Sequence, residues 1–429
     1  MQSTSSGAWY RQLHYQILIA MLLGIASGLL GGEDAAHWLG WMGTIFVRLL
    51  RMVIVPLILT SIISGVSAVG GGRALGRLGA RTFAWYISTS LFAILTGLFL
   101  VNLIRPGVGA DLGSAAGATL PEIQTPSSLG EIFIRMIPTN PIAAMASGDM
   151  LATIFFALLV GVAITRLPAE RSARLRGLIG DLFEMMMALT GGIIRLAPFG
   201  VLGLMTTAVA TSGMGAFGAL GLYALTILAG LAVHVLVTLP LLIRFVGGMN
   251  PVTHYRNMGE ALLMAFSTSS SSATLPVTLR CVERKVGTSN RVASFVLPMG
   301  ATINMDGTAL YECVGVIFIS QVLGFELGFL AQATVVVTAL LASIGAAGIP
   351  SAGLVMIFVV TESVGLTGAE VGLIVGAMLA IDRPLDMLRT VTNVLSDASG
   401  AAVIARHEGE EAVNAAVDSE GWREATERG

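Results

Sequence analysis

The sequence predicts an all-α integral membrane protein, and its composition and the length of its apolar runs carry that prediction. Of the 429 residues, 55% are hydrophobic and 12% are charged, which is about half the charged share of soluble globular chains. Mean hydropathy is +0.82. Apolar runs such as 17–31, 86–104 and 224–243 span or nearly span a bilayer as helices. A transmembrane β-barrel would instead contain short strands of alternating polarity.

The N-terminal half contains a series of long apolar segments. No small-residue cleavage site follows the first one, so we interpret it as a retained helix rather than a signal peptide. The stretch 105–139 is rich in Gly, Pro and Ser and is expected to form an external loop. The predicted segments are 15–32, 38–68, 82–105, 140–167, 175–212 and 216–247.

Arginines in alternate loops predict the orientation, because basic loops remain in the cytoplasm. The loop after the first segment carries Glu33 and Asp34 instead. Both termini are therefore expected on the cytoplasmic side of the plasma (inner) membrane. The basic positions are Arg11 before the first segment, Arg73, Arg77 and Arg81 after the second, and Arg166, Arg171, Arg174 and Arg176 after the fourth.

Two segments in the C-terminal half are interrupted in the middle. The segment 251–285 is centred on "STSSSSATLP", and 329–368 is centred on "ASIGAAGIPSAG". Each pairs two apolar runs around a tip of small residues, which predicts a re-entrant hairpin, and such a pair indicates a transport site. Each hairpin is followed by a helix that carries polar residues, 291–323 and 370–406. The order hairpin, helix, hairpin, helix predicts an inverted repeat.

The motif "GATINMDGTALYE" predicts a cation site. Asn304, Asp306 and Thr308 supply side-chain oxygens, while Gly300 and Gly307 allow the backbone to bend. A break would expose carbonyl oxygens, and this ligand set suits Na⁺. An unpaired Asp inside a membrane costs about 2.5–3.5 kcal/mol. The alternative is a helix kink whose polar groups satisfy one another.

The stretch "DRPLDMLRTVTNVLSD" predicts a polar helix face. Arg389 offers a planar fork for a carboxylate, and Asp386, one turn earlier, can accept an ammonium group. Together they match a zwitterion with an additional acid group. The alternative is an internal Asp386–Arg389 ion pair. The positions that share this face are Asp382, Asp386, Arg389, Thr390, Asn393 and Asp397.

Other polar positions carry weaker signals. The serine tract favours an anionic group at a half-helix N-terminus. Glu312 is either a proton carrier or a structural carboxylic acid. Arg48, Arg51 and the five histidines have no predicted role. In the third segment, three positions share one face: Tyr86, Thr89 and Ser90.

Taken together, these motifs resemble the dicarboxylate/amino acid:cation symporter family, the glutamate transporters of animals, bacteria and archaea. The resemblance covers nearly the whole chain and is sharpest over 260–406. Earlier stretches also match, notably "FVRLLRMVIVPLI" and "PTNPIAAMASGDMLATIFFALLVGVAI".

The resemblance implies eight transmembrane helices, two re-entrant hairpins, inverted repeats and the elevator fold, in a homotrimer in the lipid bilayer. It also implies a fixed scaffold and a sliding transport unit. The implied parts are scaffold helices 1 and 2 (1–80), transport helix 3 (81–106), the external loop with scaffold helices 4 and 5 (107–212), the transport unit with helix 6, hairpin 1, helix 7, hairpin 2 and helix 8 (213–410), and a cytoplasmic tail (411–429).

The resemblance also implies sodium and substrate ligands. The first sodium site would use Asn304, Asn393, Asp397 and the carbonyl of Gly300. The second would use backbone around Thr308, Ser343 and Ile344. The third would use Tyr86, Thr89, Ser90, Asn304 and Asp306. Substrate would contact Ser270, Ser271, Thr308, Ile349, Gly353, Asp386, Arg389, Thr390 and Asn393, with Asp386 on the amino group and Arg389 on the side-chain carboxylate.

Several positions depart from individual branches of the family. Ser269 replaces an Arg of archaeal members, and Met387 replaces an Arg of animal members, which argues against potassium counter-transport. Arg383 after Asp382 is similar to bacterial dicarboxylate carriers. Glu312 matches the proton-carrying Glu of animal members, and Ala346 replaces an archaeal Thr.

The expected function is therefore symport of L-glutamate and L-aspartate with Na⁺, H⁺ or both, without a further cofactor, enzymatic activity or nucleic-acid partner. The first alternative is a C4-dicarboxylate symporter, although such carriers lack the acid at the position of Asp386. Arg389 disfavours a neutral amino acid exchanger. A passive anion channel would conduct without substrate coupling, and an intramembrane protease would need a base that the serine tract lacks.

Overall fold

The computed structural model describes residues 13–67, 73–110, 129–212, 215–344, 352–410 and 413. Within these ranges the regular structure is helical and no β-strand occurs. The predicted all-α class is thus confirmed for this part of the chain.

The helices of the N-terminal half are α1 (Leu13–Ser67), α2 (Arg73–Ile104), α3 (Leu129–Arg135), α4 (Pro141–Ser147), α5 (Met150–Thr165), α6 (Ala169–Ile194) and α7 (Ala197–Ser212). Those of the C-terminal half are α8 (Gly215–Val233), α9 (Leu239–Phe245), α10 (Pro251–Thr268), α11 (Ser271–Cys281), α12 (Asn290–Ile303), α13 (Asp306–Val322), α14 (Phe329–Ile344), α15 (Ala352–Ser363) and α16 (Ala369–His407). A π-turn at His234–Thr238 joins α8 to α9, and another at Val282–Val286 follows α11.

Four described stretches are long and apolar enough to cross a membrane, and several shorter apolar helices accompany them. The chain is therefore a multi-pass membrane protein. The expected number of eight spans and two hairpins remains a prediction. The four long stretches are Tyr15–Ser67, Arg77–Ile104, Ala169–Ile194 and Gly218–Phe245.

Segment boundaries differ from the sequence prediction at three places. The segments 15–32 and 38–68 adjoin within α1, where Gly32 alone leaves helical geometry (φ 50°, ψ −136°). Such a kink needs no loop, because glycine adopts positive φ without a steric penalty.

Two predicted segments are each divided into two helices. The segment 140–167 breaks at Gly148, which has φ 77°, and Asp149 caps α5 through the amide of Ala152. The segment 175–212 turns after Arg195, and Pro198 occupies the first turn of α7, where its missing N–H is not needed. The sequence prediction missed both turns, because each lies within a long apolar run.

α1 packs along α7 and also contacts α5 and α6. The contact is close at small residues: a Cβ on Gly203 would lie 2.6 Å from the Leu39 carbonyl, and one on Gly28 would lie 2.8 Å from the Thr206 carbonyl. Glycine at such positions allows membrane helices to approach closely.

α13 lies at the centre of the second group of helices. It contacts α2, α8, α14, α15 and α16, and every residue in it except Gln321 is buried. A separate apolar core joins α10, α11, α12 and the C-terminal half of α16. The junction of α12 and α13 is therefore buried between these two cores.

Glu408, directly after α16, forms ion pairs with arginines of α2 and α12. Its carboxylate is 2% exposed and pairs with Arg77 at 3.1 Å, with Arg291 at 3.0 Å, and with Arg81. These guanidinium groups, with the hydrogen bond from Arg77 foremost, hold the pKa of Glu408 below its usual value.

We expect Glu408→Gln to lower the melting temperature in detergent at pH 7 by about 2–4 °C, because three arginines lose a shared partner. Since the pKa of Glu408 is lowered on folding, its contribution exists above the unfolded-state pKa of about 4.3 and disappears as pH falls through the lower folded value. The difference between variant and wild type should therefore shrink in acid.

Glu326→Gln is the matched control, because Glu326 forms an ion pair with Arg105 while 85% exposed. Such surface pairs contribute about 0–1 kcal/mol. Equal melting temperatures for Glu408→Gln and wild type at pH 7 would contradict the prediction.

Candidate substrate and cation site

The helix that carries the motif "GATINMDGTALYE" is broken in its middle. α12 ends at Ile303, Asn304 has φ −102° and ψ 93°, Met305 has φ −120° and ψ 59°, and α13 begins at Asp306. The predicted break is therefore confirmed. Backbone polar groups on both sides of such a break lack helical partners and become available to ligands.

Asp306 is surrounded by donors from two other helices. Its Oδ1 accepts hydrogen bonds from Thr89 (3.1 Å) and Ser90 (2.7 Å) of α2. Its Oδ2 lies 3.1 Å from Nε2 of His234, at the π-turn after α8. All four side chains are buried. Three members of the implied third sodium site thus lie in direct contact.

Asp397 forms a second carboxylate cluster at the same break. Asn304 donates from Nδ2 to Asp397 (2.9 Å) and to Ser396 (3.1 Å). Gly300 lies against the Asp397 carboxylate, and a Cβ there would be 2.9 Å from the Tyr86 hydroxyl. Members of the first and third implied sites therefore share one buried region around Asn304.

The two carboxyl groups of this region have no strongly basic partner among the described residues, because no Lys or Arg lies within ion-pair distance of Asp306 or Asp397. A buried carboxylate without a counter-charge is costly. A bound cation would offset that cost, and the hydroxyl, amide and carboxylate oxygens present are ligands that Na⁺ accepts.

The implied second sodium site is described only in part. Ser343 and Ile344, at the end of α14, line a small cavity with Tyr86, Ser90 and Ile303. Ile349, an expected substrate contact, and Ala346 lie outside the described residues.

Arg389 forms the centre of the polar face of α16. Its Nη1 donates to Asp382 and its Nη2 to Asp386, both at 2.8 Å, and its guanidinium carbon lies 3.7 Å above the Tyr311 ring. Arg383 lies 3.7 Å from the other oxygen of Asp386. Arg389, Asp382 and Asp386 are all buried.

The internal ion pair considered as an alternative is thus present, with Asp382 as an additional acceptor. An incoming carboxylate can use the Arg389 Nε, which has no hydrogen-bond partner among the described residues, or replace one of these acidic side chains on the guanidinium. In both cases an acidic side chain remains beside the guanidinium and can accept from a positively charged group, so the ion pair and a zwitterion site are compatible.

Small and polar groups surround the Arg389 cluster. A Cβ on Gly353 would lie 3.5 Å from the Arg389 guanidinium carbon and 3.3 Å from the Thr308 methyl group. Asn393 accepts from the Gly307 amide (2.8 Å) and donates to Thr308 (3.3 Å). The Thr390 hydroxyl, in contrast, donates to the Asp386 carbonyl at 2.9 Å.

The serine tract forms the turn between α10 and α11. Ser269 adopts a left-handed conformation (φ 50°), and Ser270 caps α11 by accepting from the Ala273 amide. Ser270 and Ser271 are both buried, and α11 contacts α16. α11 therefore packs against the helix that carries the polar face.

Glu312 lies on α13 one residue after Tyr311 and is completely buried. Neither carboxylate oxygen has a hydrogen-bond partner among the described residues, although the charge of Arg389 acts on it.

Comparison with known proteins is decisive at this point. The model of the sodium:dicarboxylate symporter family matches residues 13–407. The chain belongs to the sodium:dicarboxylate symporter family. It is thus a transporter rather than an enzyme.

Individual members show the range of relatives. Excitatory amino acid transporter 3 of Homo sapiens is 35% identical over 94% of this chain and 86% of its own length. The proton/glutamate-aspartate symporter of Escherichia coli strain K12 is 32% identical over 92% and 93%. The proton/sodium-glutamate symport protein of Bacillus subtilis strain 168 is 30% identical over 92% of both chains.

Sequence reasoning missed three side chains around the symporter's clusters. His234 was assigned no role, yet it contacts Asp306. Ser396 bonds to Asn304, and Tyr311 covers Arg389. The only signal for His234 was a histidine within the apolar segment 216–247, and nothing in the sequence identified its partner.

Gly300→Ala tests the cation cluster of this symporter. The added Cβ would overlap the Asp397 carboxylate. If NaCl stabilises the wild-type protein through this cluster, half-maximal stabilisation of the variant should need at least about tenfold more NaCl, which corresponds to about 1.4 kcal/mol. The measurement is thermal denaturation in detergent across NaCl concentrations, with choline chloride keeping the ionic strength constant.

Gly259→Ala is the control, because a Cβ at that helical position meets nothing within 4 Å. It should leave the NaCl dependence unchanged. An unchanged dependence in Gly300→Ala would show that cation binding does not involve this cluster.

Proposed function

We propose that the chain is a secondary active symporter that takes up L-glutamate and L-aspartate with Na⁺, H⁺ or both, by an elevator mechanism of alternating access. One observation carries the proposal. Arg389 and Asp386, suited to the two ends of an acidic amino acid, lie on the same helix as Asn393 and Asp397, which adjoin the oxygen-rich break at Asn304.

The substrate assignment rests on the chemistry of the Arg389 cluster. The planar guanidinium binds a carboxylate with two parallel hydrogen bonds, and Asp386 accepts the ammonium group. The named relatives include glutamate and aspartate symporters. The proposed substrate residues are Ser270, Ser271, Thr308, Ile349, Gly353, Asp386, Arg389, Thr390 and Asn393.

Sodium is the proposed coupling ion at three sites. The sites use Asn304, Asn393, Asp397 and Gly300; Thr308, Ser343 and Ile344; and Tyr86, Thr89, Ser90, Asn304 and Asp306. Glu312 is the proposed proton carrier, since its buried carboxylate lacks an ion-pair partner among the described residues.

Coupling follows from shared residues. Asn393 bonds to the Gly307 amide and to the Thr308 hydroxyl, so a cation that orders Asn393 also orders groups beside Arg389. Each positive charge that moves down 100 mV yields about 2.3 kcal/mol. A tenfold concentration gradient adds about 1.4 kcal/mol per ion. Two or three ions therefore suffice to concentrate substrate by several powers of ten.

The elevator proposal assigns scaffold roles to 1–80 and 107–212, transport roles to 81–106 and 213–410, and a cytoplasmic tail to 411–429. Packing supports this division, because α1 contacts α5, α6 and α7, whereas α2 contacts α8 and α13. Eight spans, two re-entrant hairpins, a homotrimer and cytoplasmic termini in the plasma (inner) membrane complete the proposal.

A C4-dicarboxylate symporter is the second candidate. The family description and the arrangement of Arg383 beside Asp386 favour it. A dicarboxylate has no ammonium group, however, and a second carboxylate would be repelled by Asp386. The amino acid assignment therefore remains first.

Uptake into proteoliposomes tests the function. Radiolabelled glutamate and aspartate should accumulate when an inward Na⁺ or H⁺ gradient is imposed, because ion entry drives the substrate uphill. The two gradients are imposed separately, with valinomycin and K⁺ setting the membrane potential. Empty liposomes are the control, and succinate is the competing substrate. Absence of amino acid uptake under every gradient, with succinate uptake intact, would select the second candidate.

Asp386→Ser tests the substrate site. We expect aspartate binding to weaken at least about 100-fold, since a buried charge-assisted contact to the ammonium group is lost. Succinate should bind no worse, because repulsion is removed. Isothermal titration calorimetry in detergent with NaCl measures both affinities.

Asp181→Ser, on the exposed face of α6, should bind aspartate like the wild type. Aspartate affinity of Asp386→Ser within about threefold of the wild type would refute the role of Asp386.

A further inference from the structure

A groove of about 300 Å³ lies at one end of the molecule, away from the Arg389 cluster. α2 forms one wall with Trp85 and Phe92, and Leu242 of α9 and Ile404 of α16 form the others. Side chains in its interior are predominantly apolar. Of its lining residues, the function proposed above uses only Thr89.

The mouth of the groove is strongly basic. Arg81 and His407 line it, and Arg77 and Arg291 converge beside it on Glu408. Three guanidinium groups share one carboxylate, so this cluster of described residues carries two positive charges in excess. Arg77 and Arg291 are 63% and 66% exposed, which leaves N–H donors available to a further anion.

The helices on either side of the groove present apolar side chains outward. Phe92 and Phe99 of α2 are 46% and 67% exposed, and Leu241 and Phe245 of α9 are 49% and 78% exposed. In a membrane protein such surfaces meet acyl chains, so the groove opens where lipid is available.

We propose that this groove binds one anionic phospholipid. Its phosphate lies against Arg81 and the adjoining Arg77 and Arg291, and one acyl chain enters between Trp85, Leu242 and Ile404. Charge complementarity selects an anionic headgroup, because a zwitterionic one supplies no net negative charge to offset the excess. The apolar depth of the groove selects a lipid over free phosphate, which would contact only the mouth.

Such a lipid would adjoin two hydrogen bonds that already join α2 to the C-terminal part of α16. Arg81 already donates to the His407 carbonyl, and the Trp85 indole donates to the Ser396 carbonyl. The acyl chain would fill the space between these two connections. Its bound position adjoins Thr89, whose hydroxyl contacts Asp306.

Fluorescence of Trp85 tests the proposal directly. A single-tryptophan protein (W9F, W38F, W41F, W422F) is reconstituted into phosphatidylcholine vesicles that contain increasing amounts of acyl-brominated phosphatidylglycerol or, separately, acyl-brominated phosphatidylcholine. Bromine quenches tryptophan on contact. Brominated phosphatidylglycerol should reach half-maximal quenching at a several-fold lower mole fraction, about fivefold per arginine engaged.

Variants separate headgroup recognition from folding. Arg81→Gln should raise the half-maximal mole fraction of phosphatidylglycerol about fivefold, and Arg81→Lys should restore most of the difference. Ser88→Phe, at an exposed position in the groove wall, should reduce quenching by both lipids while leaving Arg81 in place. Arg174→Gln, on the exposed face of α6, should behave like the parent.

Equal quenching by the two brominated lipids in the single-tryptophan parent would overturn the proposal, since it would indicate ordinary bilayer contact. So would an Arg81→Gln protein that elutes as the parent does and keeps the parent's preference. Inorganic phosphate that relieves quenching at millimolar concentration would assign the mouth to a free anion instead.

Discussion

The hydrogen bond from the Gly307 amide to the Asn393 side chain holds the broken helix α12–α13 against α16. It spans 2.8 Å and is possible because Gly307 lacks a Cβ, which would lie 2.8 Å from the Arg389 carbonyl. This contact brings the interruption between α12 and α13 beside the polar face of α16. The carboxylate cluster around Asn304 depends on that juxtaposition, because it contains Asp397 of α16 and Asn304 of the break. The same packing places Tyr311 of α13 over the Arg389 guanidinium.

Buried charge shapes the rest of the site. Arg389 pairs with Asp382 and Asp386, and these two carboxylates offset the cost of burying its charge. Asp306 and Asp397 have only hydroxyl, amide and imidazole neighbours among the described residues. In one part of the region, Arg383 and Arg389 are matched by Asp382 and Asp386. In the other part, two carboxyl groups have no Lys or Arg partner among the described residues, and a bound cation would supply the positive charge.

Much of the architecture was predictable because membrane constraints simplify the sequence pattern. Apolar runs identified the long helices, and the motifs identified the break at Asn304 and the turn at Ser269. The divisions at Gly148 and Arg195 were missed, since hydropathy averages over such turns. His234 and Tyr311 were missed for another reason: their neighbours Asp306 and Arg389 are distant in the chain or on another helix.

The sequence by itself determined the all-helical membrane class, the polar face of α16 and the chemistry of its side chains, because these depend on local composition and helical spacing. Only the tertiary structure decided which partners those side chains have. His234 became a partner of Asp306, and three arginines converged on Glu408. Such pairings depend on how helices pack in three dimensions, and helical spacing along one segment contains no information about the neighbouring helix.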